Sequence, residues 1–177
     1  YRVRLAMRYG NPSMEEGLRP LRELENLVVL PLYPQFSTSA TQSAIDETQR
    51  VLSTWRRKPQ VRYAQPFFDD ERFLKAFASI GRDRLSKSPW DHVLFSFHGL
   101  PERQLRKLHL CAFSDSCCAT LTVDNHLCYR AQCFSTARTL ALKLGLKDGS
   151  YTVAFQSRLG RTPWIRPYTD EVLKNFP

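Results

Sequence analysis

The sequence predicts an α/β fold with a mostly parallel sheet. Two observations predict it. Short apolar runs of buried-strand length alternate with segments whose apolar residues recur at helical spacing. Clusters of Gly, Pro, Asn and Ser separate the two kinds of segment. No repeat of fixed period cuts across the alternation. Five strands alternating with helices are hard to reconcile with an all-β fold.

Each element has a local cause. Residues 3–9, Val-Arg-Leu-Ala-Met-Arg-Tyr, read as a strand closed by Gly10, Asn11 and Pro12. Ser13, with Glu16 three residues on, forms a capping box for a helix over about 14–24. Residues 27–32 are a continuous apolar run of buried-strand length. Ala44, Ile45, Thr48, Val51, Leu52 and Trp55 fall on one helical stripe. Residues 61–64 make a short strand, and Phe73, Leu74, Phe77 and Ile80 mark the apolar face of another helix. Ser86, Lys87, Ser88 and Pro89 break that helix and suggest a domain boundary. Residues 93–97 form the next buried strand. Phe134, Ala137, Leu140, Ala141 and Leu144 define a helix with Gly145 as its C-cap. Residues 151–155 form the fifth strand, and a short helix follows Thr169.

Composition narrows the class. The 177 residues are 42% hydrophobic and 24% charged, close to ordinary globular usage. Global disorder, collagen and low-complexity classes are therefore excluded. No run reaches the ~18 apolar residues of a membrane span. No signal-peptide pattern opens the chain, which reads as a piece of something longer. A cytoplasmic protein is expected, at most peripheral to a membrane. The net charge of +9 is spread thinly, without the focused patch or reader motif of a nucleic-acid binder. The densest basic stretch, Arg103, Arg106 and Lys107, reads as a solvated helix face or an attraction for an anionic ligand. Oligomeric state leaves no trace in the sequence.

The five cysteines are not scattered. Cys111, Cys117, Cys118, Cys128 and Cys133 share one short window. A disulfide framework usually spans a small secreted chain. Clustering of this kind points instead to metal binding or redox chemistry.

In open parallel sheets, ligands bind outside the carboxyl ends of strands. That rule selects three loops: residues 33–37, 98–101 and 156–164. His98 is the sharpest single residue, because an imidazole there can take a proton near neutral pH or ligate a metal. Its alternative is a loop histidine satisfied by a hydrogen bond. His92, His109 and His126 lack this context and read as surface or core residues. Trp164 packs a core or walls a flat ligand. Asp170 and Glu171 suit a helix N-terminus. There is no Walker loop, G-x-G-x-x-G or G-x-S-x-G, which weakens nucleotide-binding and hydrolase readings.

Four blocks together carry a family resemblance. Ser96-Phe97-His98-Gly99-Leu100-Pro101 resembles the S-x-H-x-L-P signature of ferrochelatases. Residues 6–12, Ala-Met-Arg-Tyr-Gly-Asn-Pro, resemble their early R-Y segment. Pro34-Gln35-Phe36-Ser37, with Thr41, resembles their P-Q-Y-S-x-x-T element, and residues 155–171 resemble their Q-S-x-x-G-x-x-P-W block ending in T-D-E. The blocks occur in the family's order and span nearly the whole chain.

The resemblance implies a chelatase-like fold of two Rossmann-like halves facing across a porphyrin cleft. Residues 1–88 would end the first half, and residues 89–177 would begin the second. A cysteine-rich insertion would occupy residues 108–128. The family's glycine-containing porphyrin loop and its D-H-x-E segment do not occur in this sequence, so residues 1–177 alone are expected to be inactive. The implied activity inserts Fe²⁺ into a porphyrin, protoporphyrin or coproporphyrin, with release of two protons. By resemblance, His98 sits at the ring as proton acceptor, iron donor or both. Tyr9, Tyr33 and Trp164 would wall the macrocycle, and Arg8 and Ser37 would hold propionate oxygens, Arg being suited to carboxylates. A chelatase for another metal or tetrapyrrole is the nearest alternative. A redox-sensing module built on the cysteines is a different class.

The resemblance also bears on the cysteines, since some cysteine-bearing bacterial members hold a two-iron two-sulfur cluster. The spacing C-x5-C-C-x9-C-x4-C does not match ferredoxin runs but supplies four thiolates. Adjacent Cys117 and Cys118 rarely both ligate one centre. Cys128 and Cys133 would lie about 140° apart on an ideal helix. The expected ligands are Cys111, Cys118, Cys128 and Cys133, with Cys117 as the alternative to Cys118. An ordinary packed Cys133 stands against that set. Zinc, free thiols and disulfides stand against the cluster.

Overall fold

The computed structural model describes residues 1–108, 111–114 and 116–176. The backbone forms two compact units, Tyr1–Pro66 and Phe67–Pro177. Each contains one pair of parallel strands with helices packed on it, which is the mixed α/β architecture the alternation predicts.

In the first unit, α1 (Met14–Leu18) starts on the capping box. The Glu16 amide donates to Ser13 Oγ at 3.3 Å, and the Ser13 amide donates to Glu16 Oε2 at 2.8 Å. The helix tightens into a 3₁₀ turn at Arg19–Leu21, with Pro20 in it, and so ends before residue 24. β1 (Asn26–Val29) pairs in parallel with β2 (Gln60–Tyr63), and Leu27 lies opposite Val61. The crossover is α2 (Ser43–Ser53), preceded by a π-helical turn at Thr38–Gln42. Its apolar stripe buries Thr48, Val51 and Leu52, as its spacing predicts. Met14, Leu18, Leu21 and Leu27 complete this core.

Two expectations change here. The predicted strand over residues 3–9 does not form. Met7 makes one isolated bridge to Ser13, and alternation without a partner ladder does not make a strand. The segment instead crosses α1, where Gly17 leaves it room. A Cβ there would meet the Leu5 carbonyl oxygen at less than contact distance. The apolar run from residue 27 is also not covered on both faces. Leu27 is buried, whereas Val28 is 69% exposed.

The second unit holds α3 (Glu71–Leu85), β3 (Val93–His98), α4 (Glu102–Arg106), α5 (Tyr129–Leu144), β4 (Tyr151–Gln156) and α6 (Thr169–Lys174). β3 and β4 are parallel, and His98 lies opposite Gln156 at their carboxyl ends. α5 packs against β4 and ends on Gly145 at φ 70°, the predicted left-handed cap. α3 packs on α5 through Leu74, Ala78 and Leu140. A Cβ on Gly81 would lie 2.9 Å from Leu144 Cδ2, so small residues set this approach. Phe77 and Ile80, expected on the buried face, are exposed instead. The α3–α5 contact also puts the break at Pro89 inside the second unit, whereas the compact units divide at Pro66. No helix among the described residues is long and apolar enough to cross a membrane.

Candidate functional site

The end of β3 is held on several sides. The Gly99 amide donates to the Gln156 carbonyl at 2.7 Å. Beyond it, the Ile165 amide donates to the Leu100 carbonyl at 3.0 Å, and the Glu102 amide donates to the Pro163 carbonyl at 2.9 Å. Two of the three selected loops, 98–101 and 156–164, therefore form one rim. Gly99 is required there, because a Cβ would lie 2.9 Å from the Gln156 oxygen and 3.2 Å from Trp164 Cε3.

His98 projects from this rim with its side chain exposed. Its Nδ1 lies 2.7 Å from the Gly99 carbonyl oxygen. A carbonyl only accepts, so Nδ1 is the donor, which in the neutral ring leaves the lone pair on Nε2. The Trp164 ring lies beside it, with centroids 6.4 Å apart. The Trp164 indole N–H donates to the Leu159 carbonyl at 3.0 Å, which fixes the ring on the rim. Behind it, Arg158 pairs with Asp170 at 2.8 Å and Glu171 at 3.3 Å, and Arg166 pairs with Glu171 at 3.2 Å. Both guanidinium groups stack on Tyr168. Asp170 and Glu171 thus bind arginines as well as opening α6. Ser96, two residues before His98 on the same strand face, shares a hydrogen bond with Thr169 at 3.0 Å.

The candidates of the first unit lie as follows. Arg8 Nε donates to Ser43 Oγ at 3.1 Å, and the Tyr9 hydroxyl meets the same oxygen at 3.1 Å. Both residues line a pocket of about 350 Å³ with Met7, Ser13, Glu47 and Arg50. The guanidinium of Arg8 stacks on the Tyr9 ring at 4.6 Å. Tyr33 is 38% exposed after β1. Ser37 is buried. It caps the turn before α2 by accepting from the Ala40 amide at 3.2 Å, and its own amide donates to Thr41 Oγ1 at 3.3 Å. Its hydroxyl oxygen thus serves a helix start.

The cysteine window lies in the second unit. Asn125 Nδ2 organises it by donating to the carbonyls of Cys117 at 3.1 Å and Thr120 at 3.0 Å. The Sγ atoms of Cys111, Cys117 and Cys118 lie 3.4–3.8 Å from one another. Cys128, the N-cap of α5, lies close enough to Cys111 and Cys118 for the three thiols to shift one another's ionisation. Two thiolates bound tetrahedrally to one metal at about 2.3 Å stand about 3.8 Å apart, so these separations suit ligands of a shared centre. Cys117, expected only as an alternative, belongs to the group. Cys133 is fully buried one turn into α5, with its thiol against the Tyr129 hydroxyl, and is not among the grouped sulfurs. The thiols that lie together as ligands for one ion are therefore Cys111, Cys117 and Cys118, with Cys128 next to Cys111 and Cys118.

Electrostatics distinguish these thiols. The hydrogen bond to Cys111, together with burial, pushes Cys118 up to about 12. Burial pushes Cys133 well above the ordinary thiol range. Burial also acts upward on Cys117. Hydrogen bonds from Cys118 and Cys111 and the charge of Arg130 outweigh it, and the net shift is downward.

Sequence reasoning passed over two residues. Arg130 is buried and donates to the carbonyls of Arg166 at 3.3 Å and Ser114 at 3.4 Å, with Nη1 4.0 Å from Cys117 Sγ. Tyr129 donates its hydroxyl to the His98 carbonyl at 2.8 Å, and burial pushes its phenol upward. Their position directly after Cys128 was the available signal. His92 Nε2 meets Thr152 Oγ1 at 2.9 Å, and His126 Nδ1 meets the Val123 carbonyl. His109 lies outside the described residues.

The family described as Ferrochelatase matches residues 1–177. A ferrochelatase of Pseudomonas fluorescens biotype C is 45% identical over 178 residues, covering 97% of this chain and 52% of its own length. One from Legionella pneumophila (strain Corby) is 41% identical over 172 residues, covering 97% of this chain and 51% of its own length. The chain spans about half the length of the curated relatives it matches.

Proposed function

The chain belongs to the ferrochelatase family, and from that premise we propose that the protein carrying it inserts Fe²⁺ into a porphyrin in haem synthesis. The reaction replaces two pyrrole N–H protons with one metal ion. It needs a deformed ring, so that a nitrogen lone pair faces the metal, and a base that takes the protons as they leave. The observation that carries the reading is the contact of His98 Nδ1 with the Gly99 carbonyl at 2.7 Å, which in the neutral ring turns Nε2 into the acceptor on the exposed rim beside Trp164. Ferrous iron is substrate here. Trp164, beside His98, supplies a flat wall against which binding energy can be spent on ring distortion. The Arg8 guanidinium holds a propionate carboxylate, the feature shared by protoporphyrin IX and coproporphyrin. On this reading the protein is cytoplasmic and at most peripheral to a membrane. A sensing module built only on the cysteines is not favoured, because the family match runs over residues 1–177.

Cys111, Cys117, Cys118 and Cys128 are proposed as ligands of a resident metal centre. Four thiolates match a two-iron two-sulfur cluster in ligand number and softness. A second reading, a single zinc ion, is supported by the near-tetrahedral spacing of three of the sulfurs. Iron, zinc and acid-labile sulfide assayed on anaerobically purified protein separate the two. No proton-transfer step is assigned to this centre.

The test of function is metalloporphyrin formation by the full-length protein, followed by absorbance with Fe²⁺ and each porphyrin. Turnover by the parent and its loss in His98→Ala are expected. A His98→Ala variant with parental turnover overturns the assignment of the base.

A further inference from the structure

We infer that Tyr129 is a positioning residue for His98, joining the helix that begins at the grouped thiols to the peptide that carries the base. The inference rests on the reaction proposed above and deepens it. Three consecutive residues make the connection. Cys128 is the N-cap residue of α5, with its thiol near those of Cys111 and Cys118. Tyr129 donates to the His98 carbonyl at 2.8 Å. Arg130 lies buried beside Cys117.

The His98–Gly99 peptide is thereby held at both ends. Its carbonyl accepts from Tyr129, and its N–H donates to the Gln156 carbonyl at 2.7 Å. With that plane fixed, the next carbonyl, Gly99 O, stands 2.7 Å from His98 Nδ1. That contact decides which ring nitrogen keeps the proton and which faces outward. Rotation of the peptide would move Gly99 O away and release the ring to either tautomer. Tyr129 thus acts on the base through the backbone, by hydrogen bonding, with no bond made or broken. It also ties the imidazole to the element that starts at Cys128.

The experiment uses Tyr129→Phe in the full-length protein, which removes one oxygen and keeps the ring. The kcat for metalloporphyrin formation should fall about fivefold to tenfold, the worth of one net hydrogen bond. KM for the porphyrin should stay at the parental value. Long-range ¹H–¹⁵N spectra should show His98 as the Nδ1–H tautomer in the parent and as a tautomer mixture in the variant. Parental kcat with an unchanged tautomer overturns the inference. So does a lower kcat with the tautomer still Nδ1–H, because the tyrosine would then support the fold alone. If the variant does not fold, the parent spectrum still decides, and an Nε2–H tautomer there overturns it. A parent that forms no metalloporphyrin sinks the proposed reaction, while the tautomer measurement still tests the positioning.

Discussion

Gly99 and Gln156 meet through their backbones at the carboxyl ends of β3 and β4. The Gly99 amide donates to the Gln156 carbonyl at 2.7 Å, and a Cβ on Gly99 would stand only 2.9 Å from that same oxygen. The obstacle is backbone rather than the far end of a flexible side chain, and Trp164 closes the other side at 3.2 Å. Gly99→Ala should therefore destabilise the second unit by about 1–3 kcal/mol, the ordinary cost of overpacking. A denaturant midpoint unchanged from the parent would show that the rim is softer than this geometry requires.

Asp70 gives stability a defined acid limb. It caps α3, accepting from the Arg72 amide at 2.9 Å and the Phe73 amide at 3.3 Å. The Arg72 guanidinium, followed by the Phe73 amide, holds its carboxyl down at about 2, against an ordinary 3.8. The unfolded chain thus takes up this proton at higher pH than the folded one. The contribution is complete above about pH 4 and is lost as pH falls toward about 2. Asp70→Asn keeps a capping side chain without the charge. The gap between parent and variant melting temperatures should narrow as pH drops through that window. A gap constant from pH 5 to pH 2 contradicts the assignment.

Arg130 is a buried cation with two backbone acceptors. Removing it leaves the carbonyls of Arg166 and Ser114 without their donor and takes a positive charge from beside Cys117. Arg130→Met should cost about 1.5–3 kcal/mol, the range for hydrogen bonds involving a charged group. Arg130→Lys restores the charge without the planar fork and should recover part of the loss. Urea denaturation of the three proteins checks the order, and equal stabilities refute it.

What was legible in the sequence was local. The Ser13–Glu16 box, the stripe through Thr48 and Val51, the strand ending in His98 and the Gly145 cap each depend on neighbours a few residues away. Residues 3–9 failed because a strand needs a partner that alternation cannot supply. The stripe of α3 misled because Ala78 and Gly81, the residues that allow close approach to α5, carry little hydrophobic signal beside Phe77 and Ile80. In the site, a strand end selected His98, and a Pro-Trp pair marked Trp164. Tyr129 and Arg130 look like ordinary residues of a helix's first turn, and only the fold turns them toward His98 and Cys117. Spacing alone could not say which sulfurs face one another. That is why Cys117 and Cys133 exchanged places between expectation and structure.

The exchange of those two cysteines gives the sharpest remaining test. Cys117 lies 3.6 Å from Cys111 and 3.4 Å from Cys118, sulfur to sulfur, while Cys133 is packed against Tyr129 with no exposed surface. A centre held by Cys111, Cys117, Cys118 and Cys128 loses a ligand in Cys117→Ala and in Cys128→Ala but keeps all four in Cys133→Ala. Metal per chain should therefore fall well below the parental value in the first two variants and stay at it in the third. Cys133→Ala should cost about 1 kcal/mol of stability as a small buried truncation. Loss of metal in Cys133→Ala, together with retention in Cys117→Ala, would restore the set that spacing alone suggested.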